Sequence, residues 1–386
     1  MKRNTGFDQG DRVNMLYLML KIPYYILESL NKRQISLLLL IDFSKAFDMV
    51  EHSILLKKLE HYGIRGRALC WMKSYLSNRK QYVSINGSDS ATHAMKYGVP
   101  QGSILGPLLF VIYINDIPEV ARFAKFILYA DDANIIITAT TIEEINDKLL
   151  ELTKNLLKWV NCNGLALSLK KTQYIIFSRQ NVDLPSPLFI SNKLIERKQE
   201  AKFLGVIVDE SLAWTKHIKT LQSKMARYVG LMYKLKKFLP LRARLQIYHS
   251  FIQSHINYCS LVWGFSSKSN VETLFSKQKK GLRAVMPGFV NYKYKDGILP
   301  GHTKLAFSEY NILTIQNVIA LNALLLLHKF RNFPSLLPPS VRLTISDDSP
   351  TPGSTYETCE NWLNVYSNHI FKKSVFLKAP LSLQIP

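Results

Sequence analysis

The chain has 386 residues, 47% of them hydrophobic, which is the composition of a folded protein with two or three compact units and excludes an intrinsically disordered one. Its 4 cysteines lie too far apart for a zinc finger or a disulfide framework, and no apolar run is long enough to cross a membrane. With 50 Lys and Arg against 28 Asp and Glu, the formal net charge of +22 favours a polyanionic partner, of which nucleic acid is the first candidate.

The chain is predicted to begin with a weak helix, a buried strand and a second helix. Residues 1–35 are weakly helical, whereas the apolar run 36–41, which ends in Asp42, is typical of a buried strand. Apolar positions then repeat at helical spacing over 54–62, and Gly63 follows as a helix stop signal.

Two hairpins are predicted in the middle of the chain. A helix that ends near Asn78 precedes the alternating segment 81–87, whose Asn-Gly end is typical of a hairpin turn. Two β-rich runs, 126–129 and 135–137, are separated by 130–134. This second pattern predicts a tight hairpin with two carboxylates at its tip.

The remaining elements change from strands to basic helices. An amphipathic helix is predicted over 142–160, followed by strands over 174–177 and 203–208. Beyond Trp214 the pattern is helical, and residues 211–310 carry 17 Lys and Arg against 3 Asp and Glu. Strands are therefore predicted to dominate residues 36–210, and helices are predicted to dominate residues 211–330.

Three acidic residues indicate a site for divalent cations. Asp42 ends a hydrophobic strand, and Asp131 and Asp132 lie in the predicted hairpin turn between two apolar strands. An Asp-Asp pair in a turn is most often turn chemistry alone, but the apolar flanks bring this pair near a core. If Asp42 lies on the neighbouring strand, three carboxylates converge. Oxygen ligands of this kind suit two Mg²⁺ ions and the in-line transfer of a phosphoryl or nucleotidyl group.

Five ordered motifs give these residues a family resemblance. The tetrapeptide Tyr-Ala-Asp-Asp at 129–132 resembles the YxDD box of reverse transcriptases, and 42–48 resembles their first catalytic motif. The segments 98–107, 164–172 and 203–206 are similar, in that order, to the template- and nucleotide-contacting motif, the loop-and-lysine motif and the primer-grip turn. The amino acids of these motifs most resemble those of the polymerases of non-LTR, LINE-like retrotransposons of the jockey type.

The resemblance implies an α+β fold: a right-hand polymerase palm, made of an antiparallel sheet with helices and partial fingers, followed by a basic helical thumb and extension. Segments 258–264 and 274–280 also resemble the region downstream of such domains. The implied division of the chain is a residual fingers segment at 1–35, palm and fingers at 36–210, thumb and extension at 211–330, and a partly flexible tail at 331–386.

The activity implied by the resemblance is RNA-directed DNA polymerisation, in which dNTPs are added to a primer 3′-hydroxyl by two-metal nucleotidyl transfer. Asp42 and Asp131 would each bind both Mg²⁺ ions, for which Mn²⁺ is a substitute, and Asp132 would support them. The Phe43 backbone would be a further metal ligand. Lys171 would protonate pyrophosphate or bind the nucleotide tail.

Residues of the first two motifs are implied to contact the nucleotide. The backbone at Phe43 and Ser44 would contact the triphosphate, and Gln101 and Gly102 would lie against the base pair. Phe47 would act as a bulky ring that excludes a ribose 2′-hydroxyl, although the sequence alone favours ordinary core packing for a Phe at this position.

Template and primer are implied to be bound by two loops and a basic helix. Phosphate neutralisation by the basic residues predicts binding that tolerates any sequence and weakens with salt. The competing interpretation, a solvated helix face, is weakened by the scarcity of acidic partners. The residues concerned are Pro100, Gly102, Phe203, Leu204, Gly205, Lys216, Lys219, Lys224, Arg227 and Lys234.

Other interpretations stay open. Only 41 residues precede Asp42, and Asp8 stands where the family has a basic residue, so the chain is expected to be N-terminally truncated. A catalytically inactive retroelement remnant that only binds nucleic acid is therefore the alternative, and a group II intron maturase or telomerase-like protein is a third. The implied partners are an RNA template, a DNA primer and dNTPs, without a membrane. The expected life cycle implies the nucleus, and the N-terminus lacks a signal-peptide core.

Overall fold

A computed structural model of the protein describes residues 9–286 and 303–332. These residues divide into two compact units, of which one is Glu28–Gln199 and the other comprises the described residues on either side of it. Asp8 and the predicted tail beyond Asn332 lie outside the described residues. None of the helices in the described part of the chain combines the length and the apolar character that a membrane span requires.

The unit Glu28–Gln199 contains both helices and strands. In order, they are α1 (Gln9–Asn31), whose last residues belong to this unit, β1 (Ile35–Asp42), a 3₁₀ helix (Ala46–Asp48), α2 (His52–His61), α3 (Gly66–Leu76), β2 (Lys80–Gln81), β3 (Ser84–Ile85), β4 (Ser88–Asp89), β5 (His93–Ala94), α4 (Leu105–Ile114), a second 3₁₀ helix (Ile117–Val120), β6 (Lys125–Tyr129), β7 (Asp132–Ala139), α5 (Ile142–Cys162), β8 (Gln173–Phe177), β9 (Phe189–Ile190), β10 (Lys193–Leu194) and β11 (Glu196–Arg197).

A five-stranded sheet of order β11-β8-β1-β7-β6 forms the centre of this unit. β1 pairs antiparallel with both β7 and β8, and its six inner residues are buried, as the uninterrupted apolar run predicts. Leu37, Leu39 and Ile41 belong to one apolar cluster with the buried face of α5. Because side chains alternate along a strand, the even-numbered residues of β1 project from the opposite face.

The predicted helices of this unit are confirmed, but its turns and strand lengths differ from the prediction. α2, α3 and α5 lie where apolar spacing puts them, and Gly63 follows α2 with φ +93°. The hairpin around Asn86 and Gly87 is confirmed as a turn, although its ladders are only two residues long. Strands do not dominate the unit, because α2 to α5 contain at least as many residues as its strands.

The predicted hairpin between the two β-rich runs is confirmed, but its five-residue tip at 130–134 is wrong. β6 and β7 pair Tyr129 with Asp132, which leaves only Ala130 and Asp131 in the turn. Ala130 adopts the left-handed conformation with φ +50° that such two-residue turns demand. Asp132 to Asn134 look like turn residues by propensity, but pairing with β1 keeps them in the strand.

In the part of it that the structure describes, the second unit is predominantly helical, as predicted for 211–330. Its elements after the first unit are β12 (Glu200–Phe203), β13 (Val206–Asp209), α6 (Thr215–Leu235), α7 (Leu241–Tyr248), a π-helical turn (His249–Gln253), α8 (Ser254–Asn257), α9 (Ser260–Trp263), α10 (Lys268–Val285), α11 (Lys304–Glu309) and α12 (Ile315–Asn332). The single strand predicted over 203–208 is wrong, because Leu204 and Gly205, with φ +42° and +83°, form a turn between β12 and β13.

Candidate active site

The register of the central sheet brings two of the three predicted carboxylates together. Asp42 is the last residue of β1 and lies directly opposite Asp132, the first residue of β7. Directly opposed residues of an antiparallel ladder project from the same face, so both carboxylates stand on the face away from α5. Asp131 occupies the two-residue turn that precedes Asp132. Asp42 thus lies on the strand next to the Asp pair, which is the condition under which the three carboxylates converge.

The three carboxylates repel one another. Partial burial, followed by the charges of Asp131 and Asp42, raises the pKa of Asp132 above its ordinary value, and the nearby Lys171 ammonium opposes that rise. Lys171 Nζ lies 2.8 Å from Asp42 Oδ2. This ion pair is the main reason why the pKa of Lys171 is raised, with smaller contributions from Asp131 and Asp132. Lys171 is therefore held as an ammonium that faces all three acids.

A short stretch of backbone pairing positions Lys171. Ser44 N–H donates to Ala166 O at 2.8 Å, and Ser168 N–H donates to Asp42 O at 2.7 Å, so that 166–168 continues the sheet beside the end of β1. A turn at Ser168 then returns the chain, with Lys171 N–H donating to Ser168 O at 2.9 Å. The predicted loop-and-lysine motif is therefore fixed to the first acidic motif, and the Ser44 N–H is already engaged.

The donor set suits a divalent cation. Carboxylate oxygens are the ligands that Mg²⁺ and Mn²⁺ prefer, and a cation among these acids would relieve the repulsion that raises the pKa of Asp132. The side chains do not form a finished cage: within 9–286 and 303–332, no group of three or more His, Cys, Asp or Glu side chains is arranged to hold a metal ion.

The loop at 98–102 is fastened to the 3₁₀ helix that follows β1. Gly98 N–H donates to Val50 O and Val99 N–H donates to Phe47 O, both at 2.8 Å. His52 Nε2 lies 2.8 Å from Gly98 O. Gly98 has φ +88°, and a Cβ there would lie 3.1 Å from the Asp48 Cα, so the close approach of the two segments requires glycine.

The predicted nucleotide-contacting residues lie around this junction. Gln101 Nε2 donates to Asp48 Oδ1 at 2.8 Å, and Gly102, with φ +82°, is exposed beside it. Pro100 O accepts hydrogen bonds from the backbone and hydroxyl of Ser103. The half-buried Phe47 ring rests against Phe110, with centroids 4.8 Å apart. Phe43 is buried, and its ring lies 6.5 Å from that of Trp159.

Apart from Pro100 and Gly102, the predicted template- and primer-binding residues belong to the second unit. Tyr258 OH donates to Leu204 O, and a Cβ on Gly205 would lie 3.4 Å from the Tyr258 ring, so Tyr258 holds the turn after Phe203 from one side. Trp263 Nε1 in turn donates to Tyr258 O at 3.0 Å.

The basic residues of α6 divide by exposure. Lys216, Lys219, Arg227 and Lys234 are exposed, whereas Lys224 is half-buried. Lys216 also pairs with Glu200, at 3.3 Å between Nζ and Oε1. Burial, together with the smaller effect of the Lys224 charge, lowers the pKa of His217 to about 4.

Sequence reasoning missed several residues that support these positions. Asp48 and Tyr258 lie inside the segments 42–48 and 258–264 that carry the family resemblance, but no catalytic or binding role is predicted for either residue. His52 had no sequence signal at all. Asn134, in β7 opposite Leu40, is 1% exposed and its Nδ2 has no hydrogen-bond partner. The one sequence feature that could have indicated Asn134 is its position as a polar residue directly before the apolar run 135–137.

Comparison with known proteins gives this arrangement a family. Residues 3–208 match the model of the family described as reverse transcriptase (RNA-dependent DNA polymerase). Over 298 residues the chain is 28% identical to a probable RNA-directed DNA polymerase from transposon BS of Drosophila melanogaster, covering 72% of the chain and 32% of that protein. Over 275 residues it is 28% identical to the RNA-directed DNA polymerase from mobile element jockey of Drosophila funebris, covering 69% and 30%.

The chain thus spans about a third of the length of the curated relatives it matches. Among solved structures, it is similar to telomerase from Candida albicans in complex with a fragment of telomeric RNA, with 14% identity and a TM-score of 0.42. That match covers 78% of this chain and 55% of the telomerase chain.

Proposed function

Because the chain belongs to the reverse transcriptase family, we propose that it is the polymerase part of a non-LTR retrotransposon protein and copies an RNA template into DNA. The observation that carries the proposal is the alignment of Asp42 opposite Asp132 at the end of a buried sheet, with Asp131 in the adjoining turn. The names of the BS and jockey relatives support the substrate class.

The carboxylates of Asp42, Asp131 and Asp132 would hold two divalent cations, with the Phe43 carbonyl as a further ligand. Bound there, Mg²⁺ or Mn²⁺ would supply Lewis-acid activation of the primer 3′-hydroxyl and neutralise the leaving pyrophosphate. In this proposal Lys171 gives up its contact with Asp42 as the acids take up their ligands. Its ammonium then neutralises, or protonates, a phosphate oxygen of the departing pyrophosphate.

The other predicted residues would orient the substrates. Gln101, held by Asp48, and Gly102 would lie against the nascent base pair, and Phe47 would limit space at the ribose 2′ position. The turn at Leu204 and Gly205 and the exposed basic face of α6 would contact primer and template through phosphates. Because such a reaction acts on chromosomal DNA, we expect the protein in the nucleus.

The test is primer extension on poly(rA)/oligo(dT) with Mg²⁺ or Mn²⁺. We expect dTTP-dependent extension by the wild-type chain and none by the double variant Asp131→Ala/Asp132→Ala. Asp147→Asn is a matched control, because Asp147 is an exposed acid on α5 and its replacement changes the charge by the same sign.

Two results would contradict the proposal. The first is the absence of extension by the folded wild-type chain while salt-sensitive oligonucleotide binding is retained. That result would support the alternative, a remnant that only binds nucleic acid. The second is extension that survives in the double variant, which would remove these carboxylates from the reaction.

A further inference from the structure

The helix α3 presents two contrasting faces. Leu76 is buried and Leu69 and Met72 pack against the core of the first unit. Trp71, on the other side of the helix, is 54% exposed. A Trp left this far in water on a helix that already has an apolar face to bury contributes little to folding, which points to a ligand or a partner.

The exposed Trp71 is held in a fixed orientation by its neighbours. Its ring stacks on that of Tyr75 one helical turn later, with centroids 5.7 Å apart and planes inclined by 14°. Tyr75 is half-buried and packs against the core cluster, which anchors the stack. The Arg79 guanidinium lies 6.0 Å from the Tyr75 ring centroid. Together these side chains make a flat, pre-organised aromatic platform with a cation at one end.

Among Asp, Glu, Lys and Arg, the sequence around this helix contains only the two basic types. Between Glu60 and Asp89 the chain has no acidic residue. A negatively charged ligand therefore meets no acidic side chain on this helix or in the segments that flank it along the chain. The basic residues of this stretch are Arg65, Arg67, Lys73, Arg79 and Lys80, and all of them except the half-buried Arg79 are exposed.

We propose that the Trp71–Tyr75 stack is a nucleic-acid contact outside the residues assigned above to the reaction, and that it binds an unpaired base of a single strand. The base would stack on the Trp71 indole, since every base offers a π-face, and the flanking Lys and Arg would neutralise the adjoining phosphates. Charge complementarity favours this occupant over an apolar protein surface. The contact does not require catalysis, so it can fail or succeed independently of the proposed polymerase activity.

Binding of short fluorescent oligonucleotides to the full chain tests this contact. Fluorescence anisotropy would follow oligo(rA), oligo(dT) and a blunt duplex, and thereby separate RNA, DNA and paired strands as ligands. Trp71→Ala is expected to weaken single-strand binding roughly 5- to 150-fold, the range for loss of one base-aromatic stack, and Trp71→Phe is expected to retain most of the binding. Phe189→Ala, which removes a 56% exposed aromatic of the same unit, should leave binding unchanged.

A second readout reports on the indole itself. A single strand is expected to quench the tryptophan emission of the wild-type chain, and Trp71→Phe should abolish that quenching. Wild-type affinity in Trp71→Ala, or an equal loss for the duplex, would overturn the proposal. So would a Trp71-dependent self-association seen by sedimentation velocity without any change in oligonucleotide binding, because the platform would then belong to a contact between copies of the chain.

Discussion

Replacing Asp132 by Asn is expected to stabilise the protein, although it removes one of the carboxylates that the proposed reaction uses. Asp132 lies opposite Asp42 and next to Asp131, and partial burial and these two charges raise its pKa. Like charges directly opposed across strands destabilise a sheet by about 0.2–1 kcal/mol, and Asn keeps the size of the side chain. Spread over a unit of this size, the gain corresponds to an increase of up to about 4 °C in the melting temperature.

The dependence on pH follows from the direction of the shift. The folded-state pKa of Asp132 lies above the ordinary value of 3.8, so in that range the folded protein binds a proton that the unfolded chain has lost. The stability of the wild type therefore falls as pH rises through this window. The advantage of Asp132→Asn is expected to be complete at neutral pH and to disappear as pH falls towards 3.8 and below.

Urea denaturation at pH 7 and near pH 4, with EDTA to exclude divalent cations, measures this difference. Asp42→Asn is the informative comparison, because Asp42 has Lys171 as a partner and its replacement loses an ion pair, so no gain is expected. Asp147→Asn controls for a change of net charge at an exposed position. An Asp132→Asn variant that is no more stable than wild type at neutral pH, or equally favoured at both pH values, would refute the reasoning.

The remaining predictions concern the contacts that hold the loops. Tyr258→Phe removes the hydroxyl that donates to Leu204 O, and is expected to raise the KM for primer several-fold in extension assays with little change in kcat or melting temperature. Gly98→Ala is expected to lower the free energy of unfolding by about 1–3 kcal/mol, measured in urea, because of φ +88° and the Asp48 Cα 3.1 Å away. Asp48→Asn allows the Gln101 amide to flip, so steady-state kinetics should show a raised KM for dNTP and an unchanged melting temperature.

Periodicity and apolar runs were sufficient to predict most of the elements that form the site. The Leu-rich run before Asp42 forms the central strand because five apolar residues in succession suit a strand buried on both faces. The apolar face of α5 was equally clear from Ile145, Leu149 and Leu152. These signals are local, so a single stretch of sequence contains them in full.

The contacts between motifs could not be predicted in the same way. Gln101 and Asp48 are 53 residues apart, and Tyr258 and Leu204 are 54 apart. Pairs of this separation leave no periodic trace in one sequence, because each side chain is an ordinary polar residue in its own neighbourhood. The exposed stack of Trp71 on Tyr75 leaves no such trace either, since spacing does not show which aromatic side chain of a helix stays in water.

The arrangement of the carboxylates is decided by the apolar residues of the sheet. Asp42, Asp131 and Asp132 repel one another, so their own interactions would separate them. They stay together because the alternation of β1 and β7 fixes the register, and a slip of one residue would turn Asp132 towards the apolar cluster under α5. The free energy gained by burying side chains such as Leu39 and Ile135 in that cluster therefore offsets the repulsion between the carboxylates at the end of the sheet. Substitutions at the acids should consequently change charge and chemistry with little effect on the fold, whereas substitutions in the cluster should disturb both.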